Sequence, residues 1–416
     1  MEGGRPDFAI IKQPYLSVRN MPCFIDDAGR VLLERSWHHD LIQHLEYLTA
    51  FSLAVPLCRL PYDTSNLIPI EDRLRARLTL VPLPAQTSRF RALLQLPATF
   101  LALWRAVGEA EIVQSGVVGW PYPLGWLASP IAAFRRKKLL IIVESAPWRA
   151  AVPIGSSASS RIGKLRRQLE ASVYERLARF WCSRADLSFY TQPYYLTEFH
   201  GSGKGPAYVA PAIWINAGDI LDNVKARALW DAKLLEPVRF LFAGRLVEEK
   251  GIKVLLATVH KLAEAGIRGE MHVIGEGPLC EEVKAAQGTA SFELKYFEPV
   301  PYGTPFLEFL QSYHAAVVPS LSDEQPRIIF DAAARAVPVI ASATNGLRPH
   351  IEDKQTGLLI APGDVGALTT LLASLADNPS SLRALAMEAL LQVRSKTHRA
   401  MHAERSRIIA LHLGAE

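Results

Sequence analysis

A chain of 416 residues exceeds one ordinary hydrophobic core and suits two domains of about 200 residues each. Its composition, 49% hydrophobic and 21% charged, excludes an extended disordered protein, and its cysteines (Cys23, Cys58, Cys182 and Cys280), with no Cys-x-x-Cys spacing, exclude a zinc knuckle or redox pair. The net charge of +5 is uneven: residues 1–230 carry 27 Lys and Arg against 19 Asp and Glu, and the remainder 19 against 22, so any basic surface belongs to the first half.

The opening MEGGRPDFAIIKQ has no basic region leading into an apolar run of signal-peptide length, so no cleaved leader is expected, and a reducing cytoplasm suits the cysteines. A strand is predicted at Phe8–Gln13, then a polar excursion through Asp26, Asp27 and Gly29, then a helix around Asp40–Ala54. His38, His39 and Asp40 are adjacent and so face different ways, which disfavours joint metal ligation; no metal is expected.

Ile112–Phe134 runs without a charge and is followed by Arg135, Arg136, Lys137 and Lys138, as a membrane span with a basic flank would be. Pro121, Pro123 and Pro130, with three glycines, would break the hydrogen bonding that a lipid-exposed helix must complete, so a strand, glycine loop and short helix are expected instead. Parallel strands are predicted at Glu111–Gly116, Lys138–Ser145 and Ala185–Gln192, with Ala207–Ile215 following, and the small polar run Ser156–Arg161 reads as a loop. The clusters Arg135–Lys138 and Arg161, Lys164, Arg166 and Arg167 read either as solvated helix faces or as a peripheral contact with an anionic membrane. No helix-turn-helix, RNA-binding signature or aromatic-interleaved basic stripe accompanies them, so nucleic acid is not an expected partner.

From Pro237 the chain alternates apolar strand-like runs with helical periods, the pattern of a doubly wound parallel sheet of about six strands. Val238–Gly244, Met271–Gly277, Ala290–Pro299, Ala315–Ser320, Pro338–Ala343 and Gly357–Pro362 are the strand-like runs. The fold class is α/β, with boundaries read as 1–230, 231–390 and a C-terminal helical segment, 391–416, that packs back toward the first domain.

Several loops of this second half carry candidate chemistry. Arg245 and Lys250 in GRLVEEKG emerge where the first strand meets its helix, and together they could hold a diphosphate. In GEGP, Gly275 and Gly277 let backbone approach a ligand, but no third glycine completes a dinucleotide fingerprint. SLSDEQPRIIFDAAARAVP, Ser320–Pro338, places Asp323 before a helix and Asp331 inside it, eight positions on, a spacing suited to hydroxyl binding; Asp323 as a helix cap is the alternative.

With VPYG (Val300–Gly303) and NGLRPHIEDKQTGLLIAPGD (Asn345–Asp364), these segments resemble, in order, the landmarks of retaining family 4 glycosyltransferases, the glycosyl transferases group 1, over roughly Val238–Ala373. The resemblance implies a GT-B fold, two Rossmann-like domains facing across a cleft, with a nucleotide-diphosphate sugar (UDP- or GDP-linked) as donor and no bound metal or cofactor. It implies Arg245 and Lys250 at the diphosphate, Gly275 and Gly277 at the nucleotide, Asp331 at the ribose hydroxyls and Asp323 near the donor sugar, with Glu324, Gln325, Pro326 and Arg327 completing the donor-binding loop. The family usually has glutamate at both acid positions and glycine where Glu324 stands. A first-domain histidine of the family has its counterpart in VESAPWR, where Glu144 stands nearest and either serves catalysis or pairs with Arg149. The expected activity is hexosyl transfer to a saccharide or lipid-linked acceptor in bacterial surface-polysaccharide assembly, in the cytoplasm at the inner membrane face. The alternative is a catalytically weak nucleotide-sugar-binding subunit.

Overall fold

The computed structural model describes residues 8–60, 64, 66–85, 87–150, 161–288 and 291–414. The chain packs as two compact units, Met1–Pro211 with Arg399–Glu416, and Ala212–His398.

The first unit is built on a sheet of ten strands: β1 (Tyr15–Val18), β2 (Cys23–Ile25), β3 (Val31–Glu34), β4 (Phe51–Arg59), β5 (Leu67–Pro69), β6 (Leu78–Leu83), β7 (Ile112–Gly116), β8 (Lys138–Val143), β9 (Leu187–Tyr190) and β10 (Ala207–Val209). Their order is β10-β9-β8-β7-β1-β4-β2-β3-β5, with β6 also paired to β4. The segment from β10 to β4 is parallel throughout, while β3 pairs antiparallel with β2 and β5. Both faces of the central strands are buried, Leu16 and Val113 toward one hydrophobic core and Tyr15 and Ile112 toward another. That double burial explains the nearly continuous apolar runs of β7 and β8.

Two expectations for the opening segment are corrected. Phe8–Gln13 is not a strand: Ile11 makes an isolated bridge to Leu48, and the strand is the next run, β1. The helix is Arg35–Tyr47 rather than Asp40–Ala54, and it gives way to β4, whose Phe51, Leu53 and Val55 are buried. Ile112–Phe134 forms β7, a loop and the helix Gly125–Phe134, in keeping with its prolines. Among the described residues no helix is long and apolar enough to cross a membrane. The run Ser156–Arg161 lies outside the described residues, except for the backbone of Arg161.

The second unit holds a six-stranded, wholly parallel sheet of β11 (Arg239–Ala243), β12 (Gly269–Ile274), β13 (Phe292–Phe297), β14 (Ala315–Val318), β15 (Val339–Ser342) and β16 (Gly357–Ile360). The order β13-β12-β11-β14-β15-β16 is that of a doubly wound sheet, and it reverses between β11 and β14. Helices cover both faces; the amphipathic helix Ile252–Glu264 buries Ile252, Leu255, Val259 and Leu262.

The sequence reading set the division between the halves at 230/231, whereas the compact units part at Pro211. The helix Asn223–Lys233, capped by the Asp222 side chain, explains the difference: its Trp230 is fully buried in the second unit's core and donates its indole N–H to the Ala336 carbonyl at 2.9 Å. At the other end, residues 391–398 stay with the second unit, and the helix His398–Leu413 places Ile409 and Leu413 in a core of the first.

Candidate functional site

The strand reversal in the second unit puts two loops side by side, the one after β11 and the one after β14. Open α/β sheets bind ligands at such a crevice, beyond the carboxyl ends of the strands. A cleft of about 510 Å³ lies there, with Arg245, Lys250, Gly275, Ser320, Glu324 and Asp331 in its wall.

Each side chain has a local reason for its place. After β11 the chain passes Gly244 and Arg245 into the short turn Glu248–Lys250, which Gly251 closes in the left-handed conformation before the next helix. Lys250 is nearly buried and Arg245 largely exposed. Gly275 has φ +147°, and a Cβ there would stand 1.9 Å from the Gly244 carbonyl oxygen, so glycine is what lets the two loops touch. Gly277 meets the Leu246 backbone in the same manner and lies outside the cleft wall.

The cations do not stand alone. The Glu324 carboxylate lies 3.0 Å from Lys250 Nζ and 3.7 Å from Arg245 Nη2, occupying the space between them. Gln325 lines the cleft but spends its amide on Ala212, accepting from its N–H at 3.1 Å and donating to its carbonyl at 2.9 Å. Pro326 leads into the helix Ile328–Ala334, and the Arg327 guanidinium lies over the rings of Trp214 and Tyr302. Asp323 turns to the next loop, where its carboxylate accepts the Asn345 N–H at 2.9 Å. Gly346 seats that loop, since a Cβ there would come 2.4 Å from the carbonyl oxygens of Asp323 and Glu324.

Asp331 sits in the helix Ile328–Ala334 and is almost wholly buried. Burial pushes its carboxyl up to about 7, against the opposing pull of Arg327 and of the Tyr302 hydroxyl, which donates to Oδ1 at 3.0 Å. Tyr302, in the VPYG segment, is a site residue that sequence reasoning did not single out; its position in that landmark was the available signal. The Ser320 hydroxyl, buried in the cleft wall without a hydrogen-bond partner, is another. Such a wall combines three cations, Arg245, Lys250 and Arg327, with the acids Glu276 and Glu324, the neutral-leaning Asp331 and an unsatisfied hydroxyl, which suits a polar, hydroxyl-rich ligand that can compete with Glu324 for the cations.

The first unit has its own reversal, between β1 and β7, and a smaller pocket of about 260 Å³ there holds Arg19, Asn20, Trp37, Trp120 and Glu144. Glu144 pairs with Arg19 at 3.0 Å, not with Arg149. Arg149, on the helix Pro147–Ala150, pairs instead with Glu175 and Glu198. Arg19 also lies over the Trp37 ring, and the Asn20 side chain holds the following loop by accepting from Leu124 N and donating to the Tyr122 carbonyl.

Among the described residues, Asp40, His44 and His402 bring ligand-type atoms within 4.8 Å of one another in the first unit. These atoms already bond to each other and to a tyrosine: His402 Nε2 meets Asp40 Oδ1 at 3.0 Å, its Nδ1 meets the Tyr47 hydroxyl at 3.3 Å, and His44 Nδ1 meets the Asp40 carbonyl at 2.9 Å. The cluster therefore ties the C-terminal helix to the helix Arg35–Tyr47.

Comparison with known proteins places the second unit. Residues 237–378 match the model of the family described as Glycosyl transferases group 1. Over 146 residues the chain is 28% identical to glycogen synthase of Mycobacterium tuberculosis, covering 35% of each chain, and over 184 residues it is 28% identical to the amylovoran biosynthesis glycosyltransferase AmsK of Erwinia amylovora, covering 42% of this chain and 44% of that one. The matched region thus spans 35% and 44% of the length of these relatives. In fold the likeness is wider. Sucrose-phosphate synthase from Thermosynechococcus elongatus has a TM-score of 0.67 at 17% identity over 97% of this chain and 100% of that one. HepE from Anabaena, solved in complex with UDP and glucose, has 0.64 at 12% identity over 96% and 99%. The fold is thereby that of the GT-B glycosyltransferases, two parallel-sheet α/β domains.

Proposed function

We propose that this protein is a retaining glycosyltransferase that moves a hexosyl group from a UDP- or GDP-linked sugar to a saccharide or lipid-linked acceptor in surface-polysaccharide assembly, at the cytoplasmic side of a membrane. The observation that carries this reading is the convergence of Arg245, Lys250, Ser320 and Asp331 in one cleft, at the switch point of the sheet whose sequence matches Glycosyl transferases group 1. The UDP and glucose held by HepE, and the biosynthetic role in the name of AmsK, support the donor class and the pathway.

In this reading the bond from the sugar's anomeric carbon to the diphosphate breaks, a bond to the acceptor oxygen forms on the same face, and the acceptor proton leaves with the diphosphate. Arg245 and Lys250 stabilise the charge growing on that leaving group, the largest contribution the protein can make without a metal. Asp331 accepts from the ribose hydroxyls. Asp323, one methylene shorter than the family's glutamate, orients the donor sugar through the loop that Asn345 and Gly346 support. Glu144, held by Arg19, aligns the acceptor hydroxyl.

A second reading, a nucleotide-sugar-binding subunit with little catalysis, is favoured by one observation: the Glu324 carboxylate offsets the two cations that should meet the diphosphate. Both are tested by incubating the purified protein with a panel of nucleotide sugars and saccharide or lipid-linked acceptors, with mass spectrometry of the products. Transfer that Arg245→Ala or Lys250→Ala slows by about a hundredfold or more supports the transferase. Saturable donor binding with neither transfer nor donor hydrolysis decides for the binding subunit, and unchanged turnover in both alanine variants removes the diphosphate assignment.

A further inference from the structure

We propose that the face of the first unit formed by the helices Arg89–Leu94, Leu96–Glu109 and Arg161–Cys182 is a docking surface for an anionic lipid bilayer. Phe90, Leu93 and Leu94, one side of the first of these helices, are 65–71% exposed. Leu165, Leu169 and Val173 recur at every fourth position of the third, so they form one stripe, and they are 49–60% exposed. The two apolar sides belong to one patch: Leu93, Leu165, Leu169 and Val173 line a common groove of about 640 Å³, with Trp126 and Tyr174. Phe100 and Leu101 of the second helix are exposed as well. Contiguous apolar surface of this kind marks an interaction site rather than ordinary exposure.

The charge around the patch names its partner. Residues 89–108, in the first two of these helices, contain three arginines, Arg89, Arg91 and Arg105, and neither aspartate nor glutamate. Arg89, Arg91 and Arg166 stand exposed among the apolar side chains. The acid of the groove, Glu170, is matched by Arg89 and Arg166, each at 3.2 Å, which leaves the surroundings cationic. A bilayer with anionic headgroups takes both features at once, apolar side chains into the acyl boundary and guanidinium groups onto phosphates. The basic run at Arg135–Lys138 is a poorer contact. The Arg135 guanidinium lies 4.2 Å over the Trp104 ring, Lys137 Nζ donates to the Gly108 carbonyl at 2.9 Å, and Lys138 Nζ to the Leu413 carbonyl at 3.1 Å. Those last two cations sit at the carboxyl ends of helices, where they stabilise the fold.

This inference does not rest on the transferase reading, and its test uses no donor. The full chain is co-sedimented with vesicles of phosphatidylcholine, with and without phosphatidylglycerol, at low and high salt. The expected result is binding that requires the anionic lipid and weakens with salt. Leu94→Glu and Leu169→Glu each lower it by about tenfold or more, the loss of one buried apolar side chain. Arg91→Gln and Arg166→Gln lower it less and reduce its salt dependence, and they keep the test valid should a glutamate variant lose its native thermal midpoint. No binding to anionic vesicles, equal binding to neutral ones, or binding unchanged in all four variants overturns the proposal. So does a chain that, without lipid, is a dimer that Leu94→Glu converts to a monomer.

Discussion

Asp331 is the residue whose environment and proposed task pull in opposite directions. A carboxyl buried among apolar neighbours holds its proton up to about pH 7, yet a carboxylate is the better acceptor for two ribose hydroxyls. The sign for stability follows from the raised value. Between about pH 4, where an exposed aspartate ionises, and about pH 7, the folded state binds more protons than the unfolded state, so this group's contribution declines as pH rises through that window and is level above it. Asp331→Asn is therefore expected to raise the thermal midpoint at pH 8 more than at pH 5, by a few degrees for each kcal/mol relieved. Donor affinity of the native protein should strengthen as pH rises through about 7, while the asparagine variant binds more weakly and without that step. Calorimetric titration with UDP at pH 6 and pH 8 checks both; an equal pH dependence in the two proteins would remove Asp331 from the nucleotide site. The acid's place in the cleft was legible from the strand-loop-helix spelling of Ser320–Pro338. Its pairing with Tyr302 was not, because the two are joined by tertiary packing between segments 29 residues apart.

The elements of the second unit were read almost strand for strand, because each apolar run there is short, bounded by Gly or Pro, and separated by a helix with a clear buried stripe. In the first unit the same reasoning misplaced β1 and missed β2 to β6, of which β4 is the longest. Leu48–Val55 is apolar without period-2 alternation, and a parallel strand buried on both faces cannot be told from a helix by pattern alone. The helix Asn223–Lys233 straddles the boundary read at 230/231, since one buried tryptophan leaves little periodic signal. Its structural weight can be measured. Trp230→Ala removes a fully buried ring and leaves the Ala336 carbonyl without its donor, at a cost of about 3–5 kcal/mol. Urea unfolding followed by far-UV circular dichroism should show the midpoint of the second unit fall accordingly; a loss under about 1 kcal/mol would mean that the helix is peripheral to that core.

For the whole molecule, the contrast between units is one of sequence against fold. The landmarks that match Glycosyl transferases group 1 lie between residues 237 and 378, while the likeness to solved GT-B structures extends over nearly the entire chain. In the proposed function, phosphate and ribose would impose the same contacts whatever the acceptor, which would keep the second unit's loops recognisable, whereas a first unit serving a different acceptor would need to retain only its sheet. The chain nevertheless returns to the first unit: the helix His398–Leu413 inserts Ile409 and Leu413 into its core, and buried His402 bridges Asp40 and Tyr47. His402→Ala leaves the Asp40 carboxylate and the tyrosine hydroxyl without this partner and opens a cavity, at a cost of about 3 kcal/mol. The damage should fall on one unit. Differential scanning calorimetry is expected to show an early transition from the first unit and a later one from the second, with UDP raising only the later midpoint because the ligand stabilises the state that binds it. A single transition, lowered by the substitution and raised as a whole by UDP, would show instead that the two units unfold together and that the C-terminal helix stabilises the nucleotide site as well as its own core.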